Sequence, residues 1–200
     1  MKKRIEKYSI SPSMDGKKSK VHKIYLTVSV LLGMILAIGM PFFNEPDGQY
    51  HYVVSSNMVN LSNDISAYGE VDIGTGIDQQ IKAYQQGGYF QKYYLTKIVE
   101  MPMSKQPREG VTKNPNAKSF IFWGHQIPAL GLWIGHEIYP SIGMMITTAR
   151  LFSVVMNSLL MFLIIKFVKK GKMIFVALSL TPVTLNSFAS LSYDSLSFVL

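Results

Sequence analysis

The chain contains no cysteine. Disulfides, Cys-ligated zinc and thiol catalysis are excluded together. Charge is also scarce, with 16% Asp, Glu, Lys and Arg against 48% hydrophobic residues in a chain of 200. That balance belongs to membrane proteins rather than to soluble domains. The net charge of +8 is unevenly placed. Residues 1–23 hold eight Lys/Arg against Glu6 and Asp15, and Lys166, Lys169, Lys170 and Lys172 form a second block. Residues 44–141 hold seven Lys/Arg against nine acids. Both basic blocks flank hydrophobic runs, which is the positive-inside pattern and not a nucleic-acid footprint. No nucleic-acid partner is expected.

The longest uncharged run is Ile24–Phe43. Twenty helical residues cover ~30 Å, the thickness of a bilayer's hydrocarbon core. The run is too long for a signal-peptide core, and Met40-Pro41-Phe42-Phe43 offers no small-residue cleavage site. It reads as an uncleaved first span. It runs straight into Asn44-Glu45-Pro46-Asp47-Gly48-Gln49-Tyr50-His51. Two carboxylates and a histidine are thus delivered to one membrane surface.

The expected organisation follows from these marks. Residues 1–23 are a basic cytoplasmic tail, 24–43 the first span, and 44–141 a large extracytoplasmic loop. Within that loop Tyr52–Ile65 has the spacing of an amphipathic helix. A second helix candidate runs from Gly74 to about Val99, and Met101–Lys118 reads as irregular. Residues 119–139 are long enough to span but carry His125, Gln126, Pro128, His136 and Glu137. Were they to span, the lysine block at 166–172 would face outward. An interfacial or re-entrant segment is therefore expected. Residues 142–165 form the second span, 166–172 a cytoplasmic loop and 173–189 a third span. Residues 190–200 form an outer turn and the start of a fourth, so the chain reads as the N-terminal part of a larger protein. The fold class expected is all-α and polytopic, with a partly helical first outer loop.

Four features coincide in order. The first span ends in Pro46-Asp47-Gly48-Gln49-Tyr50-His51. Residues 126–135 read Gln-Ile-Pro-Ala-Leu-Gly-Leu-Trp-Ile-Gly. The second span opens with Ala149-Arg150-Leu151-Phe152-Ser153-Val154-Val155-Met156-Asn157. Thr181-Pro182-Val183-Thr184 precedes Ser190-Leu191-Ser192-Tyr193-Asp194-Ser195-Leu196. Together they resemble the predicted membrane proteins of domain of unknown function 2142, which in turn look like GT-C glycosyltransferases. The resemblance implies many transmembrane helices, a lipid-phosphate-linked sugar donor and an acid just beyond the first span. It departs at Gly48, where members often carry Glu.

The resemblance gives Asp47 the role of base, or of the acid that orients the acceptor hydroxyl, with Glu45 second. Asn-Glu-Pro-Asp-Gly is equally good turn chemistry. His51 lies four residues on, on the same helical face, and either assists proton transfer and phosphate contact or is an interfacial histidine. Arg150 lies nine residues into a span, where an unpaired guanidinium is costly. It either pairs with Asp194 or holds a donor phosphate. One His and one Asp make no metal site, and no metal ligands are assigned. No cofactor is called for, a divalent metal staying an open alternative. The expected partners are membrane lipids, a lipid-linked sugar donor and a cell-surface acceptor. The expected activity is glycosyl transfer at the outer face of the plasma membrane. The rivals are a transporter or flippase of lipid-linked sugars and a non-catalytic envelope-assembly subunit.

Overall fold

Residues 20–43, 45, 47–61, 87–100 and 115–199 are described by a computed structural model. All regular structure among them is helical. The basic tail before Lys20, the first part of the Gly74–Val99 candidate and most of Met101–Lys118 lie outside the described residues.

Helix α1 runs Val21–Gly39, four residues short of the end of the apolar run. Met40 is extended (ψ 133°) because it precedes Pro41, whose ring disfavours a helical predecessor. Phe42 and Phe43 are therefore released from the helix and are buried at its end. Helix α2 follows at Gly48–Met58, starting earlier than the amphipathic pattern from Tyr52 suggested. The segment 87–100 holds a π-turn at Gln91–Leu95 and a 3₁₀ turn at Ile98–Glu100. The expected long helix therefore does not continue to Val99.

Helix α3 spans Phe120–Ile138 and helix α4 Ile142–Phe167. Ser119 and Ser141 cap them, accepting from Phe122 N at 3.2 Å and Met144 N at 3.4 Å. The two form an antiparallel hairpin held at glycine distance. A Cβ on Gly131 would lie 2.5 Å from Ala149 Cα, and one on Gly135 2.7 Å from Met145 Cα. Any larger residue there forces the backbones apart. Within residues 119–139 the chain thus forms one continuous helix, Phe120–Ile138, that passes through Pro128 with no turn inside it.

Helix α1 packs antiparallel on the other half of α4. Gly33 meets Val154, and Ser29 hydrogen-bonds Ser158 at 2.7 Å. Small residues and interhelical hydroxyls are how helices associate where lipid removes the hydrophobic drive. Among the described residues, α1 and α4 are the two helices long and apolar enough to cross a membrane.

The expected third span is not one helix. Helix α5 covers Lys172–Ser179 and α6 Pro182–Phe188. Pro182 occupies the first position of a new helix, and Thr181 Oγ1 accepts from Thr184 N at 3.4 Å. Proline and a Thr cap both start a helix rather than continue one. Helix α7, Asp194–Ser197, is a single turn.

The main core lies beyond the end of α1. Phe42, Phe43, Tyr52, Tyr89, Tyr93 and Ile98 pack on Leu132, Met145, Ile146 and Ala149 of the α3–α4 hairpin. The loop thus caps the first two turns of α4. Tyr89 and Tyr93 are buried packing residues.

Candidate functional site

The site is built on the turn between α1 and α2. Phe43 and Asp47 both adopt left-handed backbone conformations, each with φ 55°. Asp tolerates this region, whereas Phe costs on the order of 1–2 kcal/mol there. Burial of the Phe43 ring, edge-on to Tyr52 with centroids 5.9 Å apart, offsets that cost. The two reversals fold Glu45 inward and leave Asp47 exposed.

Glu45 meets Arg150. The guanidinium is fully buried, and its Nη2 donates to Glu45 Oε2 at 2.6 Å and to the Pro41 carbonyl at 3.0 Å. Its Nη1 donates to the Met40 carbonyl at 2.9 Å. These carbonyls lie just past the end of α1, where helical carbonyls lack partners and the dipole favours a cation. Glu45 Oε1 also lies 3.5 Å from Leu191 N, at the limit of hydrogen bonding. Arg150 therefore pairs with Glu45 and not with Asp194. Asp194 is exposed and accepts from Ser192 Oγ at 3.1 Å.

Gly48 has a local reason. A Cβ there would sit 2.8 Å from Phe43 Cα and 3.2 Å from Glu45 Cγ. A glutamate at this position, the residue that the resemblance leads one to expect, would have to displace the turn that buries Glu45.

Asp47 occupies the N-cap position of α2, but its carboxylate makes no capping hydrogen bond. Its left-handed backbone departs from the extended geometry that aims a cap at the helix amides. The carboxylate is consequently left to solvent. No side-chain hydrogen bond joins it to His51, although the two stand a turn apart.

His51 faces His125 of α3. Nδ1 of His51 lies 3.0 Å from Nε2 of His125, and Nδ1 of His125 lies 2.7 Å from the Ile121 carbonyl. Both rings are buried, at 5% and 0% exposure. Tyr193 meets both imidazoles, with ring centroids 5.6 Å and 5.4 Å away, and Tyr50 meets His51 edge-on at 5.6 Å. Gly124 lets Tyr193 in, because a Cβ there would lie 2.3 Å from Tyr193 Cβ. Burial pushes the His51 pKa down, against the opposing pull of Glu45, Asp194 and Asp47. Burial pushes His125 down to about 4, with the Ile121 carbonyl opposing and His51 adding to the shift. Burial, then Tyr193 and Asp47, raise Tyr50.

The structure thus gathers Glu45, Asp47, His51, Arg150 and Asp194 around one end of the helices. It adds His125, which the sequence marks only as one of the polar residues of the 119–139 segment. His125 is 74 residues from His51, so no local pattern reveals the pair. Among the described residues, no group of three or more His, Asp or Glu side chains is arranged to hold a metal.

No curated protein and no solved structure matches the chain. A family model, DUF2142, described as a predicted membrane protein, matches residues 124–200. The match takes in the motifs at 126–135, 149–157, 181–184 and 190–196, and leaves the Pro46–His51 motif outside it. Over residues 124–200, from Gly124 of α3 through α7, the chain is similar to the predicted membrane proteins of domain of unknown function 2142.

Proposed function

We propose that this protein is a multi-pass membrane glycosyltransferase of GT-C type. It would move a sugar from a polyprenyl-phosphate donor to a cell-envelope acceptor at the outer face of the plasma membrane. In this reading the N terminus is cytoplasmic, α1 and α4 span, and α3 runs antiparallel against the outer half of α4. The observation that carries this reading is the state of Asp47. It is a carboxylate in an N-cap position that caps nothing, exposed beside a buried histidine pair. Its neighbour Glu45 is already neutralised by Arg150. Asp47 is then the acid free to take or orient the acceptor's hydroxyl proton.

Arg150 changes role within this reading. Both its terminal nitrogens already donate to protein acceptors, so it holds the loop in place and is not the donor-phosphate contact.

The test uses a strain deleted for the gene and restored with wild type or Asp47→Asn. Loss of one surface sugar, recovered with wild type but not with Asp47→Asn at equal protein level, supports the enzyme. Full recovery with Asp47→Asn removes Asp47 from the chemistry.

One observation favours transport of a lipid-linked sugar instead. Helices broken inside a membrane are how transporters build substrate sites. At the α5–α6 break a cavity of about 370 Å³ is lined by Met161, Phe175, Leu178 and Val183. A second, of about 330 Å³, is lined by Glu45, Asn186, Ser190 and Asp194. Labelled lipid-linked sugar in proteoliposomes separates the readings, by a new glycosidic product or by translocation alone.

A further inference from the structure

The two buried histidines settle each other's protons. A carbonyl oxygen only accepts, so the 2.7 Å contact to Ile121 requires a proton on Nδ1 of His125. A neutral imidazole carries one proton, so Nε2 of His125 is an acceptor. The 3.0 Å contact to it then requires a proton on Nδ1 of His51. The lone pair of His51 is left on Nε2, which has no hydrogen-bond partner among the described residues. Donation is one-way, from His51 through His125 to the Ile121 carbonyl. Among the described residues, the other elements around His51 supply no cation. The α1–α2 turn brings Glu45 and Asp47, α7 brings Asp194, and Tyr50 and Tyr193 bring ring edges.

We propose that His125 is a positioning residue that holds His51 in the Nδ1–H tautomer, making Nε2 of His51 the proton acceptor of this site, with Asp47 orienting the hydroxyl. The inference deepens the glycosyl-transfer reading and rests on it for the reaction, though the tautomer itself does not. In the step, the acceptor's O–H bond breaks and its proton moves to His51 Nε2. The oxygen's freed pair forms the bond to the sugar's anomeric carbon, and the bond from that carbon to the lipid phosphate breaks, its pair leaving with the phosphate. The imidazolium that results is stabilised by the surrounding carboxylates. A base held by a second, oriented group is the general logic of such relays.

The experiment is nitrogen NMR of the protein labelled in histidine and reconstituted in lipid nanodiscs, with His51→Gln to assign the resonances. In wild type at neutral pH, His51 is expected protonated on Nδ1 and bare on Nε2. In His125→Ala the preference collapses to a mixture. In His125→Gln the amide oxygen can accept from Nδ1, and the preference returns. Where the lipid-linked donor gives product, His125→Ala should lower kcat by roughly 10-fold or more with KM little changed, as losing an imidazole's orienting partner does. A wild-type His51 protonated on Nε2 overturns the proposal. So does an unchanged tautomer in His125→Ala, or a shift of both imidazoles on adding Zn²⁺ at stoichiometric concentration, which would make the pair metal ligands. If His125→Ala does not fold, the wild-type spectrum and the His125→Gln variant still decide. Correct tautomers without any glycosyl product would leave the relay standing and refute the reaction.

Discussion

Arg150 and Glu45 form a fully buried ion pair 2.6 Å long between residues 105 positions apart. The pair joins α4 to the turn after α1, and two carbonyl contacts of the same guanidinium fasten the end of α1. Removing one partner leaves a buried, uncompensated charge, which typically costs about 3–5 kcal/mol. Arg150→Ala or Glu45→Ala should therefore lower the thermal melting point sharply. The double replacement Arg150→Met with Glu45→Leu should lose less than the two single changes added together. Additive losses in that cycle would show that the pair is not coupled.

Gly48 is predicted to resist replacement by glutamate. Gly48→Ala already places a Cβ 2.8 Å from backbone at Phe43. Overpacking of this kind costs about 1–3 kcal/mol. Gly48→Glu should be at least as damaging, measured by melting in detergent. Equal stability of Gly48→Glu and wild type would mean that the turn rearranges freely.

At Gly33 the opposing atoms belong to a side chain, the Val154 methyls, 2.5 Å from an added Cβ. Gly33→Ala should destabilise the α1–α4 contact, and Val154→Ala in the same chain should relieve it. At Gly131 the opposing atom is the Ala149 backbone Cα, so Gly131→Ala has no such suppressor in Phe152→Ala. Suppression at both sites, or at neither, would contradict this distinction.

Stability should fall on acidification. His125 is held neutral in the fold with its pKa pushed down to about 4, against about 6.5 in an unfolded chain. The unfolded chain takes up a proton first as pH drops. The fold's advantage is therefore intact above pH ~6.5 and is lost progressively down to about 4, by up to about 3 kcal/mol. His51, lowered in the same direction by burial, adds to the effect. Melting from pH 7.5 to 4.5 measures it, and His125→Gln should flatten the curve over that range.

The spans at 24–43 and 142–165 were legible in the sequence because apolar runs of that length have few alternatives, and α1 and α4 lie on them. Their ends were displaced where proline intervened. Pro41 stopped α1 before Phe42, and Pro182 with Thr181 split the expected third span, because a cap and a missing N–H outweigh hydropathy locally. The turn around Asp47 was legible as turn chemistry. The partner of Arg150 was not, since Glu45 and Asp194 are equally good carboxylates on paper and only the left-handed turns at Phe43 and Asp47 choose between them. His125 was invisible for the same reason of distance, and its only sequence trace is a histidine in an apolar helix.

The order of synthesis gives the Arg150–Glu45 pair a further consequence. Glu45 leaves the ribosome 105 residues ahead of its partner. At 5–20 residues per second that interval is roughly 5–20 s. Throughout it the end of α1 has no guanidinium to receive its carbonyls, and the turn has no reason to close. Arrival of α4 supplies both at once, so the contact between α1 and α4 can lock only after the whole segment between them has been made.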